Sequence, residues 1–350
     1  MTGDPGDDAT RDAPPSRPSV ASPDWQRAAL ADLVARRERW PHALLIGGPR
    51  GIGKRMLADA LARALLCETP RDGGIPCGEC PGCRYVAAGQ HPDLRVVEPI
   101  DVTDDVAKPV EWIVVDRIRA LTRWAHLTSH RGGAKVGIID PAERMNAAAA
   151  NALLKTLEEP PPRTYLLLVS HQAGRLPATI RSRCQIVAAP VPTARQGVEW
   201  LAARGVRDAA SLLAQAGGAP LAALALADGD YQAERAVWMK ALAAPAALPV
   251  AALGGRIDAG PREGRKDRLA AVIDWLAGWC ADLARVHAGG APLRNPDHRA
   301  QLAALAPSVA GVALFRYHRS LLDQRALLAH PLQPRLVAEA LLIDYRALFG

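Results

Sequence analysis

At 350 residues the chain is long enough for two or three domains, and its 49% hydrophobic and 23% charged residues are the ordinary material of packed cores. A formal net charge of +7 permits an acidic partner such as nucleic acid without establishing one. No stretch reaches ~18 uninterrupted apolar residues, which excludes a membrane-spanning helix, and six cysteines, four of them crowded together, argue for metal rather than disulfides.

Residues 1–22 carry Asp4, Asp7, Asp8 and Asp12 against Arg11 and Arg17, with no apolar core. They are predicted to form a disordered tail, not a signal or transit peptide, and a soluble, cytoplasmic protein is the expectation. Trp25, Ala29, Leu33 and Val34 or Ala35 recur at helical spacing, so a helix is predicted over 24–39, ended by Trp40-Pro41. Residues 42–47 read as a buried strand, followed by a glycine-rich turn and a helix over 55–66. The cysteine segment, 67–83, comes next. Residues 94–97 read as a strand, 99–109 as an acidic, proline-flanked loop and 113–127 as a helix with one apolar face. A second buried strand is predicted over 135–140, then a long helix over 142–159 stopped by Pro160-Pro161-Pro162. A third buried strand over 165–170, a short helix over 177–182 and a short strand over 184–187 complete this half.

Continuous apolar strands alternating with helices predict an α/β domain whose parallel sheet is covered on both faces. Beyond residue 190 no further strand is expected. Short helices are predicted over 193–204, 209–216 and 220–227. Residues 243–264, rich in Ala, Pro and Gly, read as a linker or loosely ordered loop. Leu269, Val272, Ile273, Leu276, Cys280, Leu283 and His287 form one apolar helical stripe, and 309–328 and 335–348 are similar. The expected layout is a tail (1–22), an α/β domain (23–190), a small helical domain (191–242) and a C-terminal helical domain (243–350).

Between the first strand and its helix, Gly48-x4-Gly53-Lys54 matches a phosphate-binding loop. Gly48, Gly51 and Gly53 let backbone N–H groups wrap phosphates, and Lys54 would reach the β- and γ-phosphates. The next position calls for Ser or Thr to hold Mg²⁺ and has Arg55 instead. Asp140 ends a buried strand where an acid would hold the metal's water shell. Pro141 follows it, where a glutamate would orient the attacking water. Glu143 is expected to point elsewhere. Cys77-x2-Cys80-x2-Cys83, with Cys67 upstream, supplies four thiols for a structural tetrahedral Zn²⁺, with no ligand position left open. His91 is a weaker alternative ligand, and Cys280 reads as core. Arg183, in Ser182-Arg183-Cys184 at the domain edge, could reach a neighbouring subunit's phosphates, since guanidinium grips phosphate oxygens through two donors.

Lys135-Val136-Gly137-Ile138-Ile139-Asp140, the run from Asn151 through Leu157-Glu158-Glu159-Pro160-Pro161, Ser182-Arg183-Cys184 and the four-cysteine module together resemble the bacterial clamp-loader subunits of DNA polymerase III, an AAA+ family. The resemblance covers about residues 25–187 strongly and the rest by architecture. It implies an AAA+ P-loop domain with a zinc module, a helical lid and a helical collar. Of the subunits that share these motifs, one is an ATP-hydrolysing motor, gamma/tau, and one is a similarly shaped stator that does not hydrolyse ATP. Arg55, Pro141 and Leu221, which stands where the motor has a phosphate-sensing arginine, are similar to the stator, and no tau-like tail follows Gly350. The first sensor position would be Ser170 or His171. The resemblance further implies a hetero-oligomeric ring with gamma/tau and delta subunits, the sliding clamp and primed DNA as partners. Arg183 would act in trans at the adjacent motor's ATP site, with ATP bound weakly or not at all here. Lys135 and Arg131 are weak candidates to face DNA. Two other readings are an active motor-type ATPase and a stand-alone zinc-dependent nucleic-acid-binding protein.

Overall fold

Five short apolar runs pair side by side in the first half of the chain. In a computed structural model, which describes residues 22–103, 106–329 and 333–350, they are β1 (Ala43–Gly47), β2 (Leu94–Val97), β5 (Lys135–Ile139), β6 (Thr164–Ser170) and β7 (Gln185–Ala188). All pair in parallel, in the order β2-β5-β6-β1-β7. Leu45 of β1 faces Leu168 on one side and Ile186 on the other. β5 is buried along its whole length, the signature of a strand covered on both faces. The helices of this unit are α1 (Arg27–Ala35), α2 (Lys54–Leu66), α3 (Pro81–Ala87), α4 (Val115–His126), α5 (Ala147–Glu158) and α6 (Ala178–Arg181), with α2 and α4 packed on the strands and α1 and α3 on α2. The chain divides into two compact units, Met1–Pro192 and Thr193–Gly350.

Three expectations change in the first unit. Residues 99–109 are not a loop but an antiparallel hairpin, β3 (Ile100–Thr103) with β4 (Val106–Pro109), in which Asp101 pairs with Lys108. Ile100, Val102 and Val106 favour strand, and Pro109 sits at the strand end, where proline is tolerated. The helix predicted over 142–159 is interrupted. A 3-10 turn, Ala142–Arg144, gives way to extended Met145, whose neighbours bond Ile113: its N–H to the Arg144 carbonyl at 2.8 Å and its carbonyl to the Asn146 N–H at 3.2 Å. Asn146 then caps α5, its side chain accepting the Ala149 N–H at 2.8 Å. The helix predicted over 24–39 is likewise divided, with 3-10 turns at Asp24–Gln26 and Arg37–Arg39 flanking α1. Residues 1–21 of the expected tail lie outside the described residues.

The second unit is helical, with no strand among its described residues: α7 (Ala194–Ala202), α8 (Ala209–Gln215), α9 (Pro220–Ala225), α10 (Gly229–Leu242), α11 (Val250–Asp258), α12 (Arg265–His287), α13 (Arg299–Leu305), α14 (Gly311–Ala326) and α15 (Pro334–Arg346). Leu201, Leu212, Leu213 and Ala223 form a small core of their own among α7, α8 and α9. A larger core gathers Trp238, Trp279, Cys280, Leu342 and Tyr345. The 243–264 stretch is not a loose linker. It contains α11, which buries Leu253 and Ile257 and packs on α15. A Cβ on Gly254 would stand 2.4 Å from Glu339 Cγ, so the glycine serves close helix approach. Among the described residues no helix is long and apolar enough to cross a membrane.

Candidate functional site

The glycine loop runs from the end of β1 into α2. Gly48, Gly51 and Gly53 all take positive φ. At Gly53, φ is 91° and a side chain would meet Gln26 Nε2 at 2.7 Å. Gln26, wholly buried, donates that amide to the Gly53 carbonyl at 2.8 Å and the Ile52 carbonyl at 3.1 Å, tying the loop to the segment before α1. Lys54 begins α2 and is only 3% exposed. Its ammonium donates to the Pro49 carbonyl of its own loop. Burial lowers its pKa to about 8, against the pull of Asp140 and Glu143.

Arg55 turns the metal side of the loop into an ion-pair cluster. Its guanidinium lies 2.9 Å from Asp59 Oδ1, 2.7 Å from Glu98 Oε1 and 3.5 Å from Asp140 Oδ2. Burial opposes its charge, yet Asp59, Glu98 and Asp140 outweigh burial and hold its pKa above the ordinary value. Asp140 is pushed up to about 6 by burial, with Arg55 opposing and Glu98 adding to the rise. A cation therefore already sits against the carboxylate expected to organise a metal's water shell. Pro141 follows it and offers no proton acceptor.

Glu143 does not point away from the site as expected. It is near enough to Lys54 to act on its charge, and its Oε1 accepts the His171 N–H at 2.9 Å, while Oε2 is buried with no partner among the described residues. His171, at the end of β6, is lowered to about 4 by burial and by Lys54. Ser170 is wholly buried and its hydroxyl accepts the Gln172 N–H at 3.2 Å. Leu221 lies in the first turn of α9, half-buried.

The four cysteines converge. Cys67, Cys77, Cys80 and Cys83 place their sulfurs within 4.8 Å of one another. Cys67 and Cys77 are 3.6 Å apart, Cys67 and Cys80 3.9 Å, and Cys77 and Cys83 3.9 Å. A tetrahedron of Zn–S bonds ~2.3 Å long spaces its sulfurs ~3.8 Å apart, so the set fits zinc. Backbone N–H groups of Glu68, Cys77, Glu79, Cys80 and Cys83 all point at sulfur. The Thr69 hydroxyl and the Cys80 and Glu79 amides lower the Cys77 pKa to about 6, whereas burial raises Cys83 to about 12. His91 stands outside this set. Cys280 is core, wholly buried, with its thiol pKa raised by burial.

Arg183 follows α6 on the surface. Its Nη2 is 2.7 Å from Glu158 Oε1, and Nη1 donates to the Thr179 carbonyl at 2.9 Å. Lys135 is not free to face DNA. It is 3% exposed and donates to the Trp124 and Leu127 carbonyls. Arg131 pairs with Glu68.

Of the residues that shape the site, Asp59 is legible beforehand as the i+4 partner of Arg55 on a helix. Glu98 and Gln26, 43 and 27 residues from their partners, carry no local signal.

A family model described as DNA polymerase III, delta subunit, matches residues 26–192. The DNA polymerase III subunit delta' of Pseudomonas aeruginosa is 46% identical over 217 residues, 61% of this chain and 63% of that protein. That of Escherichia coli is 37% identical over 287 residues, 81% of this chain and 82% of the relative. A DNA polymerase III subunit tau of Salmonella typhimurium is 35% identical over 175 residues, 46% of this chain and 25% of that protein. Among solved structures, a DNA polymerase III gamma subunit-related protein of Thermotoga maritima aligns over 93% of this chain and 100% of its own with a TM-score of 0.43 at 17% identity. The chain belongs to the DNA polymerase III subunit delta' family.

Proposed function

We propose that the protein is the stator of a DNA polymerase III clamp loader, helping to load the sliding clamp on primed DNA without hydrolysing ATP itself. The observation that carries this reading is the Arg55 cluster. A guanidinium paired with Asp59, Glu98 and Asp140 competes directly with Mg²⁺ for the metal-side acid. Pro141 removes the usual base as well. Residual nucleotide would meet Gly48, Gly51, Gly53 and Lys54 without a metal, and would bind weakly or not at all.

The arginine offered to a neighbour is Arg183, which is half-buried at the edge of the sheet unit and is held by a surface ion pair with Glu158, the Thr179 carbonyl and the Ser182 hydroxyl. In a ring with gamma/tau and delta subunits it would stabilise charge on the γ-phosphate bound by the adjacent motor. Cys67, Cys77, Cys80 and Cys83 would hold one structural Zn²⁺ that fixes the 67–83 segment. Residues 191–242 and 243–350 would be the lid and collar of the three-part layout, and the complex would work in the cytoplasm.

Reconstitution with gamma/tau and delta tests the reading. Arg183→Ala is expected to leave assembly intact and to lower DNA- and clamp-stimulated ATPase by at least about tenfold. Unchanged ATPase removes the trans role of Arg183. ATP hydrolysis by the purified chain alone, abolished by Lys54→Ala, overturns the stator reading.

A further inference from the structure

Where the end of α2 meets the 91–93 and 131–134 segments, Leu66, Glu68, His91, Arg131, Gly133 and Arg163 are among the residues enclosing a cavity of about 290 Å³. That is the small end of ligand sites and suits a small ion better than an extended organic molecule.

Three donor groups line this cavity with capacity to spare. His91 Nδ1 accepts the Asp93 backbone N–H at 3.1 Å, which leaves the ring proton on Nε2. His91 is 5% exposed, and Nε2 is buried with no partner among the described residues. A buried donor without an acceptor is destabilising, so the site favours an occupant that accepts. Arg131 meets Glu68 through Nε and lies over the Tyr85 ring, with no acceptor at its terminal nitrogens among the described residues. Arg163 donates Nη1 to the Gly132 carbonyl at 3.1 Å and has no carboxylate partner among the described residues.

The nearby acids are already answered. Glu68 is taken by Arg131. Asp93, wholly buried, accepts from the Ser129 hydroxyl and the His130 and Arg131 N–H groups at 2.9, 2.9 and 3.0 Å. What remains is donor-rich, with the Arg163 guanidinium and the His91 Nε2–H facing no carboxylate of their own among the described residues.

Arg163 also has a φ of 57°, the left-handed region, which strains a residue with a Cβ. Glycine would fit there without strain. The chain places a strained arginine where a relaxed glycine would serve the backbone better.

We propose that this cavity binds a phosphate-type oxyanion, held by Arg131, Arg163 and the His91 Nε2–H. Guanidinium forks match pairs of phosphate oxygens, and a tetrahedral oxyanion has acceptors for all three donors. The phosphate comes either from a free phosphate monoester or from the backbone of a nucleic-acid strand, and the test separates the two.

The probe is inorganic phosphate, titrated calorimetrically into the full chain in zinc-containing, phosphate-free buffer. Saturable binding at one site per chain is expected. Arg163→Gly removes the cation while relaxing the backbone. It is expected to weaken phosphate binding at least tenfold while the melting temperature holds or rises. Arg131→Gln is expected to weaken binding as well, which keeps the test open should the glycine variant fold poorly. Displacement of phosphate by a short oligonucleotide at lower concentration than by ribose 5-phosphate assigns the ligand to a strand, and the reverse order assigns it to a free monoester. Absence of saturable binding, or equal binding by both variants and the natural chain, overturns the proposal.

Discussion

Arg183 Nη2 lies 2.7 Å from Glu158 Oε1, so the arginine at the edge of the sheet unit is parked on the last residue of α5. Both side chains are substantially open to solvent, at 35% and 49% exposure. A pair of this kind is worth about 0–1 kcal/mol. It orients the guanidinium without locking it. Glu158→Gln is therefore expected to change the unfolding free energy by less than about 1 kcal/mol, read by urea denaturation. In the reconstituted ring it is expected to leave ATPase unimpaired, whereas Arg183→Ala lowers it. A Glu158→Gln loss as large as that of Arg183→Ala would show that the pair itself is the working unit.

Removing the guanidinium from the Arg55 cluster leaves Asp59, Glu98 and Asp140 facing one another. Breaking a buried pair from one side costs about 3–5 kcal/mol, and partial exposure here reduces that to about 2 kcal/mol or more. Arg55→Thr is expected to lower the stability of the isolated protein by that amount. The loss should be smaller at pH 5 than at pH 8, because acid protonates the freed carboxylates. The variant is expected to gain no ATPase, since Pro141 is unchanged. Denaturation midpoints at the two pH values, with a phosphate-release assay, check both parts.

Lys54 gives a pH dependence of definite sign. Its folded pKa is about 8, below the unfolded 10.5, because its ammonium is buried. Between those values the unfolded chain holds a proton that the folded chain lacks, so stability rises with pH across that window. Relative to Lys54→Met, the natural protein is expected to be least stable below pH 8 and to gain as pH climbs toward 10. Parallel thermal melts of the two proteins read the difference, and parallel curves would rule the buried ammonium out as its source.

Chelation addresses the cysteine module. The purified chain is expected to carry one zinc, measured by atomic emission, and to lose it with Cys80→Ser. Removal is expected to lower the melting temperature by several degrees and to expose the 67–83 segment to protease, because bound metal contributes directly to folding. The sheet should persist, since the core around β1, β5 and β6 is built from other residues.

In the helical unit, Trp279 Nε1 donates to the Tyr345 hydroxyl at 2.8 Å, which donates onward to the Leu242 carbonyl at 2.8 Å. All three residues are wholly buried. Tyr345→Phe strands a donor and an acceptor together and is expected to cost about 1–3 kcal/mol, read by denaturant unfolding.

The parallel sheet is legible in the sequence because its strands are short continuous apolar runs, and the glycine loop is legible because its spacing is tied to a backbone shape. Elsewhere local pattern is overridden. The break at Met145 depends on Ile113, 32 positions earlier, taking hydrogen bonds that a continuous helix would have used. α11 hides in an Ala- and Gly-rich stretch because its glycine answers to Glu339 on another helix. α10 and α13 also escape the sequence pattern: the buried stripe of α10 begins with a charged residue, Arg235, before Trp238, Met239 and Leu242, and α13 buries Leu302 alone. At the site, Lys54, Arg55, Asp140 and the four cysteines are readable from motif spacing. The pairing of Arg55 with Glu98 joins residues that only the fold brings together.

The Arg55 cluster also bears on which sequences this chain can reach by single steps. Replacing Arg55 with a hydroxyl residue first exposes three acids to mutual repulsion, and the variant is penalised before any metal site exists to reward it. Placing a glutamate at position 141 first gains nothing while Arg55 still occupies the acid beside it. Neither order offers a gradual path, so the cluster acts as a ratchet: selection on stability alone is enough to keep Arg55 where it is.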